Sequence, residues 1–268
     1  MNPANVFQME MAMVLAVKRR LFLRLGVTFL LGLPFVILVM PMRIRVVGLL
    51  MLLIFSGFFG AAVSFVRRRT DGHLGRLYGL PVSKWAILGD LLMAGAVVDV
   101  IQVGAVLVVY GFFHGCDMHV AFLLETIAFF VIAVLVLNLL GMGLGYCLTS
   151  NPEVHLFGAF GAGLIAFMSG LLPAPAATRG LIDTITPWNP LARLGFDLQG
   201  LTLGIEAGSH VALASGLTLM SFAGLLLLRA VDWEEVCPST DQGGSHPTSA
   251  IPDPVETSSL ERGAGGKG

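Results

Sequence analysis

Six apolar runs dominate the chain, at about 24–42, 46–66, 91–113, 122–148, 155–173 and 209–229. Each is near or above the roughly 20 residues that a helix needs to cross the hydrocarbon core of a bilayer. A chain of this pattern is expected to be an all-α membrane protein with six transmembrane helices. Composition agrees, since 56% of the 268 residues are hydrophobic, only 12% are charged and the mean hydropathy is +0.84, against about 25% charged in globular domains. The net charge of −1 and the lack of a basic stripe with interleaved aromatics exclude a nucleic-acid partner. Pro34 within the first run predicts a kink, because proline removes a backbone donor and crowds the preceding turn.

The basic residues set the orientation. Residues 67–90 hold Arg67, Arg68, Arg69, Arg76 and Lys84, five of the sixteen Lys and Arg, between two of the apolar runs. Basic residues beside a span resist translocation, so this loop is expected in the cytoplasm. With the amino terminus inside, twelve basic residues fall on cytoplasmic segments: Lys18, Arg19, Arg20, Arg24, the five of the loop, Arg229, Arg262 and Lys267. Only Arg43, Arg45, Arg179 and Arg193 fall outside, which puts both termini in the cytoplasm. Residues 6–17 would form a helix of about 18 Å, too short for a core of about 30 Å, and are expected to lie at the interface before the first span. A signal peptide does not fit, because residues 40–45 offer no small-residue cleavage site. Gly, Pro, Ser and Thr dominate residues 232–268, so the chain divides into a membrane domain, 1–231, and a disordered cytoplasmic tail, 232–268.

The spacing of Gly72, Leu74, Leu77, Pro81, Val82 and Ser83 resembles the first cytoplasmic loop of permease subunits of type-2 ATP-binding-cassette (ABC) transporters. That loop carries a pattern like E-x-x-G-x-L-x-x-L-x-x-x-P-V-S between the second and third spans. Positions 70 and 75, usually acidic in the family, are Thr70 and Gly75 here. A second likeness lies before the last span, where Pro187, Trp188, Asn189, Pro190 and Leu191 are similar to the P-x-x-P-L ending of a broken pair of outer helices, expected at 176–185 and 190–203. The two likenesses together cover residues 1–230. The resemblance implies a permease of an ATP-driven exporter in a bacterial inner (plasma) membrane, paired with a second permease copy, identical or homologous, and with separate ATPase subunits. It also implies that this chain is not itself an enzyme and binds no cofactor, ATP and Mg²⁺ belonging to the partner. The loop would form a short coupling helix between Gly72 and Pro81, with Leu74 and Leu77, one turn apart, as an apolar ridge docking into an ATPase groove. Pro187, Trp188 and Pro190 would form an outer lid, or an interfacial hairpin anchored by Trp188.

Within the spans, Asp99 is the one acid well inside an apolar run. Gln102 and Tyr110 fall within about 80° of it around the helix. An ionisable residue in the bilayer costs several kcal/mol unless it faces protein or water. Asp99, Gln102, Tyr110 and Asn138 are therefore candidates to line a pathway, a structural inter-helix hydrogen bond from Asp99 to Asn138 being the competing reading. Gly141, Gly143 and Gly145, and Gly158, Gly161 and Gly163, mark faces for close helix packing within one subunit or between two. His114, Cys116, Asp117 and His119 cluster after the third run but match no zinc spacing. Cys147 and Cys237 are expected inside and Cys116 outside, which leaves no intrachain disulfide. GAGGKG near the end lacks the GxxxxGK[ST] spacing, and no HExxH or GxSxG occurs. A self-contained secondary transporter or channel and a lipid-modifying enzyme are the alternatives. The first would show an internal repeat and the second clustered polar residues at one membrane face, and neither feature is found.

Overall fold

A computed structural model describes residues 6–16, 18–114, 120–173 and 175–203, with single positions 218, 221, 222, 225 and 229. The described regular structure is helical throughout. Helix α1 (Val6–Ala16) meets α2 (Lys18–Ile37) at a bend of 78°. Then α3 (Met42–Ile54), a π-helical turn (Phe55–Phe59) and α4 (Gly60–Thr70) run on as one rod, followed by the short α5 (His73–Tyr78), α6 (Lys84–His114) and α7 (Val120–Cys147). Helix α8 (Asn151–Met168), α9 (Ala176–Ile185), a 3₁₀ turn (Thr186–Trp188) and α10 (Pro190–Leu203) complete it. Among the described residues three helices are long and apolar enough to cross a membrane, Met42–Thr70, Lys84–His114 and Thr126–Cys147, or four if α1 and α2 count as one broken span. They cover the second, third and fourth expected spans. Of the others, 24–42 corresponds to α2, and 155–173 to α8, which has 18 residues and carries the polar Asn151 and Glu153 in its first turn. Span 209–229 lies largely outside the described residues, and the tail 232–268 entirely so.

Much of the surface of these rods is apolar. Leu30, Val108, Phe112 and Phe160 are all exposed, a surface suited to lipid and costly in water. Helix α1 turns Val6 and Glu10 inward and leaves Met9, Met13 and Leu15 exposed, which suits a helix lying in a membrane interface.

The packing seams follow the glycines. A Cβ on Gly141 would sit 2.1 Å from the Phe58 carbonyl oxygen, and one on Gly145 2.7 Å from that of Ala62. Backbone approaches backbone there, so α7 fits closely against α4 and the π turn. Gly158 and Gly161 of α8 take the rings of Phe59 and Phe58 in the same way, whereas the space beside Gly163 is open. The π turn thus projects two aromatic side chains into α8 while presenting its backbone to α7. Its extra residue per turn widens the rod at the level where three elements meet.

Helix α8 starts on a full capping box. The Ser150 hydroxyl accepts from the Glu153 N–H, and the Glu153 carboxylate accepts from the N–H groups of Thr149 and Ser150. These bonds hold the Glu153 carboxyl below the usual carboxylate range, the Thr149 N–H first among the causes. Helices α9 and α10 occupy the segment where two short helices are expected, with α10 described as far as Leu203. Asn189 caps α10 by accepting from Leu191 N at 2.9 Å and donates to Ser169 Oγ at 3.0 Å, so it ties the end of α8 to the start of α10.

Candidate functional site

The described polar residues concentrate around Asp99, which is 1% exposed near the middle of α6. Its Oδ1 accepts from Arg24 Nη2 of α2 at 3.1 Å and from Ser56 Oγ of the π turn at 2.7 Å, and its Oδ2 accepts from Asn138 Nδ2 of α7 at 2.9 Å. Donors from three elements converge on one carboxylate of a fourth, which offsets the cost of burying it. Asp99 and Asn138 are brought together by the structure. Gln102 also sits at this junction, its Oε1 3.5 Å from Ser56 Oγ. Tyr110 does not: it lies about 16 Å further along α6, buried with Val36, Leu49 and Val106, its ring beside that of His114. A shared angular sector places residues on one face, but says nothing of axial distance.

Arg24, expected among the cytoplasmic basic residues, turns its guanidinium onto Asp99 while its side chain stays 45% exposed.

A second ion cluster joins α1 to the loop end of the bundle. Glu10, almost fully buried, accepts from Arg68 Nη2 of α4 at 2.8 Å and from His73 Nε2 of α5 at 2.9 Å. Arg69 donates to the carbonyls of Tyr146 and Leu148 at the end of α7, and Arg67 pairs with Asp71 at the surface. The arginine run therefore pins α1 and α7 to the end of α4, and Glu10 ties α1 to α5 through His73. Between the two clusters lies a cavity of about 60 Å³, lined by Arg24, Arg68 and Asp99 and walled by apolar residues that include Phe65, Val98 and Met142.

The loop residues fall into three groups. Gly72 takes the left-handed conformation, φ 67°, that starts α5. Leu74 and Leu77 are 0% and 3% exposed, packed with Val6, Phe65, Ile87, Leu88 and Tyr146 of the same chain. The ridge expected to face a partner faces the protein's own core, because α5 lies against α4, α6 and α1 with its apolar side inward. Pro81 and Val82 form the turn after α5, which ends at Tyr78, and the Ser83 hydroxyl accepts from Ala86 N to cap α6. What α5 and its turn present outward is Arg76, Leu80, Pro81, Ser83, Lys84 and Trp85, with Leu80 41% and Trp85 48% exposed.

At the other end of the bundle Trp188 is exposed and Pro190 buried, and Pro187 lies in the 3₁₀ turn between α9 and α10. The Arg193–Asp197 pair, with Asp197 buried, lies one turn into α10. His114 Nε2 donates to the Val36 carbonyl at 2.6 Å, and Nδ1 accepts from Arg45. Cys116, Asp117 and His119 lie outside the described residues, and no metal-binding group occurs among those described.

Compared with models of protein families, with characterised proteins and with solved structures, the chain matches none.

Proposed function

We propose that the chain is the membrane-spanning permease subunit of an ATP-driven ABC exporter, working with a separate ATPase and a second permease copy. The observation that carries this reading is α5. It is a short helix on the turn between two long apolar helices, started by a left-handed glycine and welded to both through Leu74 and Leu77. A helix fixed in this way moves only with its spans, so force applied to its outer surface reaches α4 and α6. The outward side chains Arg76, Leu80 and Trp85 supply a surface of mixed charge and apolar anchors of the kind that dominates binding energy. The broken outer pair α9 and α10, held to α8 through Asn189, supports the same reading as a cover over one end of the bundle.

In this orientation the α5 end is cytoplasmic, the membrane is a plasma membrane, and ATP binds to the partner. The test is the double variant Leu80→Asp/Trp85→Asp in the full chain. It should insert and accumulate normally, yet fail to co-purify with its ATPase. Retained association at wild-type level refutes this docking surface.

Buried Asp99, paired with the half-exposed Arg24, favours a second reading, a transporter driven by an ion through the bundle, since an ionisable group inside the membrane marks such pathways. That reading predicts transport without nucleotide that Asp99→Asn abolishes.

A further inference from the structure

We propose that the corner between α1 and α2 is a docking surface for the anionic head groups of the bilayer leaflet it faces. Helix α1 buries Val6 and Glu10 and exposes Met9, Met13 and Leu15. Its one acid is held inward by Arg68 and His73, so no carboxylate lies on its outward side. Just beyond α1, Lys18 and Arg19 are exposed, and among the described residues neither takes part in an ion pair. Phe22 and Leu23 follow, 71% and 59% exposed. Two free cations thus stand between apolar side chains of α1 and of α2, an arrangement that suits the boundary between acyl chains and charged head groups. Arg24, further along α2, is turned onto Asp99 instead.

Depth and charge select the occupant. The far end of α2 is marked by the Val36 carbonyl, which accepts from His114 at the end of α6. From Lys18 to Val36 the helix rises about 27 Å, close to the thickness of about 30 Å of a bilayer's hydrocarbon core. With Val36 near one boundary, Lys18 and Arg19 therefore reach the head groups at the other. A zwitterionic surface offers them no net attraction, whereas an anionic leaflet strengthens binding by about fivefold for each Lys or Arg close to it. Helix α5 lies against the inward side of α1, where Val6 packs with Leu74 and Leu77 and Glu10 pairs with His73. Helix α1 is thereby held between the lipid surface and α5. Lipid binding at this corner requires neither an ATPase nor a cargo.

The test is hydrogen exchange of the purified full-length protein in lipid nanodiscs, made of phosphatidylcholine alone or with phosphatidylglycerol mixed in. The anionic lipid should slow exchange of the amides between 9 and 23 by about threefold or more, and high salt should shrink that difference by screening. Lys18→Gln/Arg19→Gln should abolish the difference. Both side chains are exposed, so this variant should keep wild-type exchange in phosphatidylcholine and wild-type thermal unfolding. The charge-preserving swap Lys18→Arg/Arg19→Lys should retain the difference. So should Arg76→Gln, which removes an exposed cation on α5. Equal exchange of the wild type in the two lipids, an undiminished difference in Lys18→Gln/Arg19→Gln, or its loss in Arg76→Gln overturns the proposal. Transport and ATPase association are not read in this assay, so its failure leaves the permease reading standing.

Discussion

Truncating Leu74 to alanine should release the α5 turn from the bundle. Leu74 is 0% exposed and packs against side chains from α1, α4, α6 and α7. Such a leucine-to-alanine change costs about 2–5 kcal/mol, the range reflecting how far the neighbours close the void. Helix α5 has six residues, far below the roughly 12–15 that an isolated helix needs, so its order depends on these contacts. The loss falls first on local opening rather than on the membrane rods. At 1.36 kcal/mol per factor of ten, hydrogen exchange of the amides between 73 and 87 should speed up by about 30-fold or more. Arg76→Ala, on the exposed side of the same helix, should change it by no more than about twofold. Leu74→Asp/Leu77→Asp should lower folded yield outright, because two carboxylates would enter an apolar core. Wild-type exchange in Leu74→Ala, or normal abundance of the double aspartate variant with loss of a partner, would refute the inward packing and restore a docking ridge.

Further outcomes follow from other contacts. Gly141→Ala should destabilise by about 1–3 kcal/mol, since its new carbon meets backbone at 2.1 Å, whereas Gly163→Ala, with open space, should be nearly neutral; thermal unfolding in detergent separates them. Glu153 has a lowered carboxyl pKa, so its contribution to stability is complete above the unfolded carboxylate range and is lost as the pH falls through the folded value. Acid titration of Glu153→Gln should therefore lack that part of the wild-type loss. An impermeant maleimide should label Cys147, which is exposed, only after cells are permeabilised, and labelling from intact cells would reverse the orientation.

The sequence carried the rods and the breaks between them. Apolar runs located the three long helices, and Pro175 and Pro190 bracketed α9 and α10, because proline fits first turns and ends preceding helices. Ser150 and Glu153 spelled a capping box three residues apart, a signal that would have placed the start of α8 correctly. The Asp99–Asn138 bond was open to inference because both are polar residues in apolar runs. Arg24 was not, since 75 residues separate it from Asp99 and its position at the head of a run reads equally well as an orienting charge. The Glu10–Arg68–His73 cluster escaped for the same reason. Leu74 and Leu77 show the limit of periodicity: spacing places them on one face but cannot say whether that face meets the chain itself or a partner.

The central claim is that force reaches this bundle from a separate nucleotide-binding subunit at the α5 turn. Native mass spectrometry of the full chain, purified in mild detergent from the cells that express it, tests this most directly. The account predicts an assembly of two permease chains with two ATP-binding-cassette subunits, which the Leu80→Asp/Trp85→Asp variant reduces to permease chains alone. A wild-type assembly that contains no nucleotide-binding subunit, yet still transports after reconstitution, would contradict it.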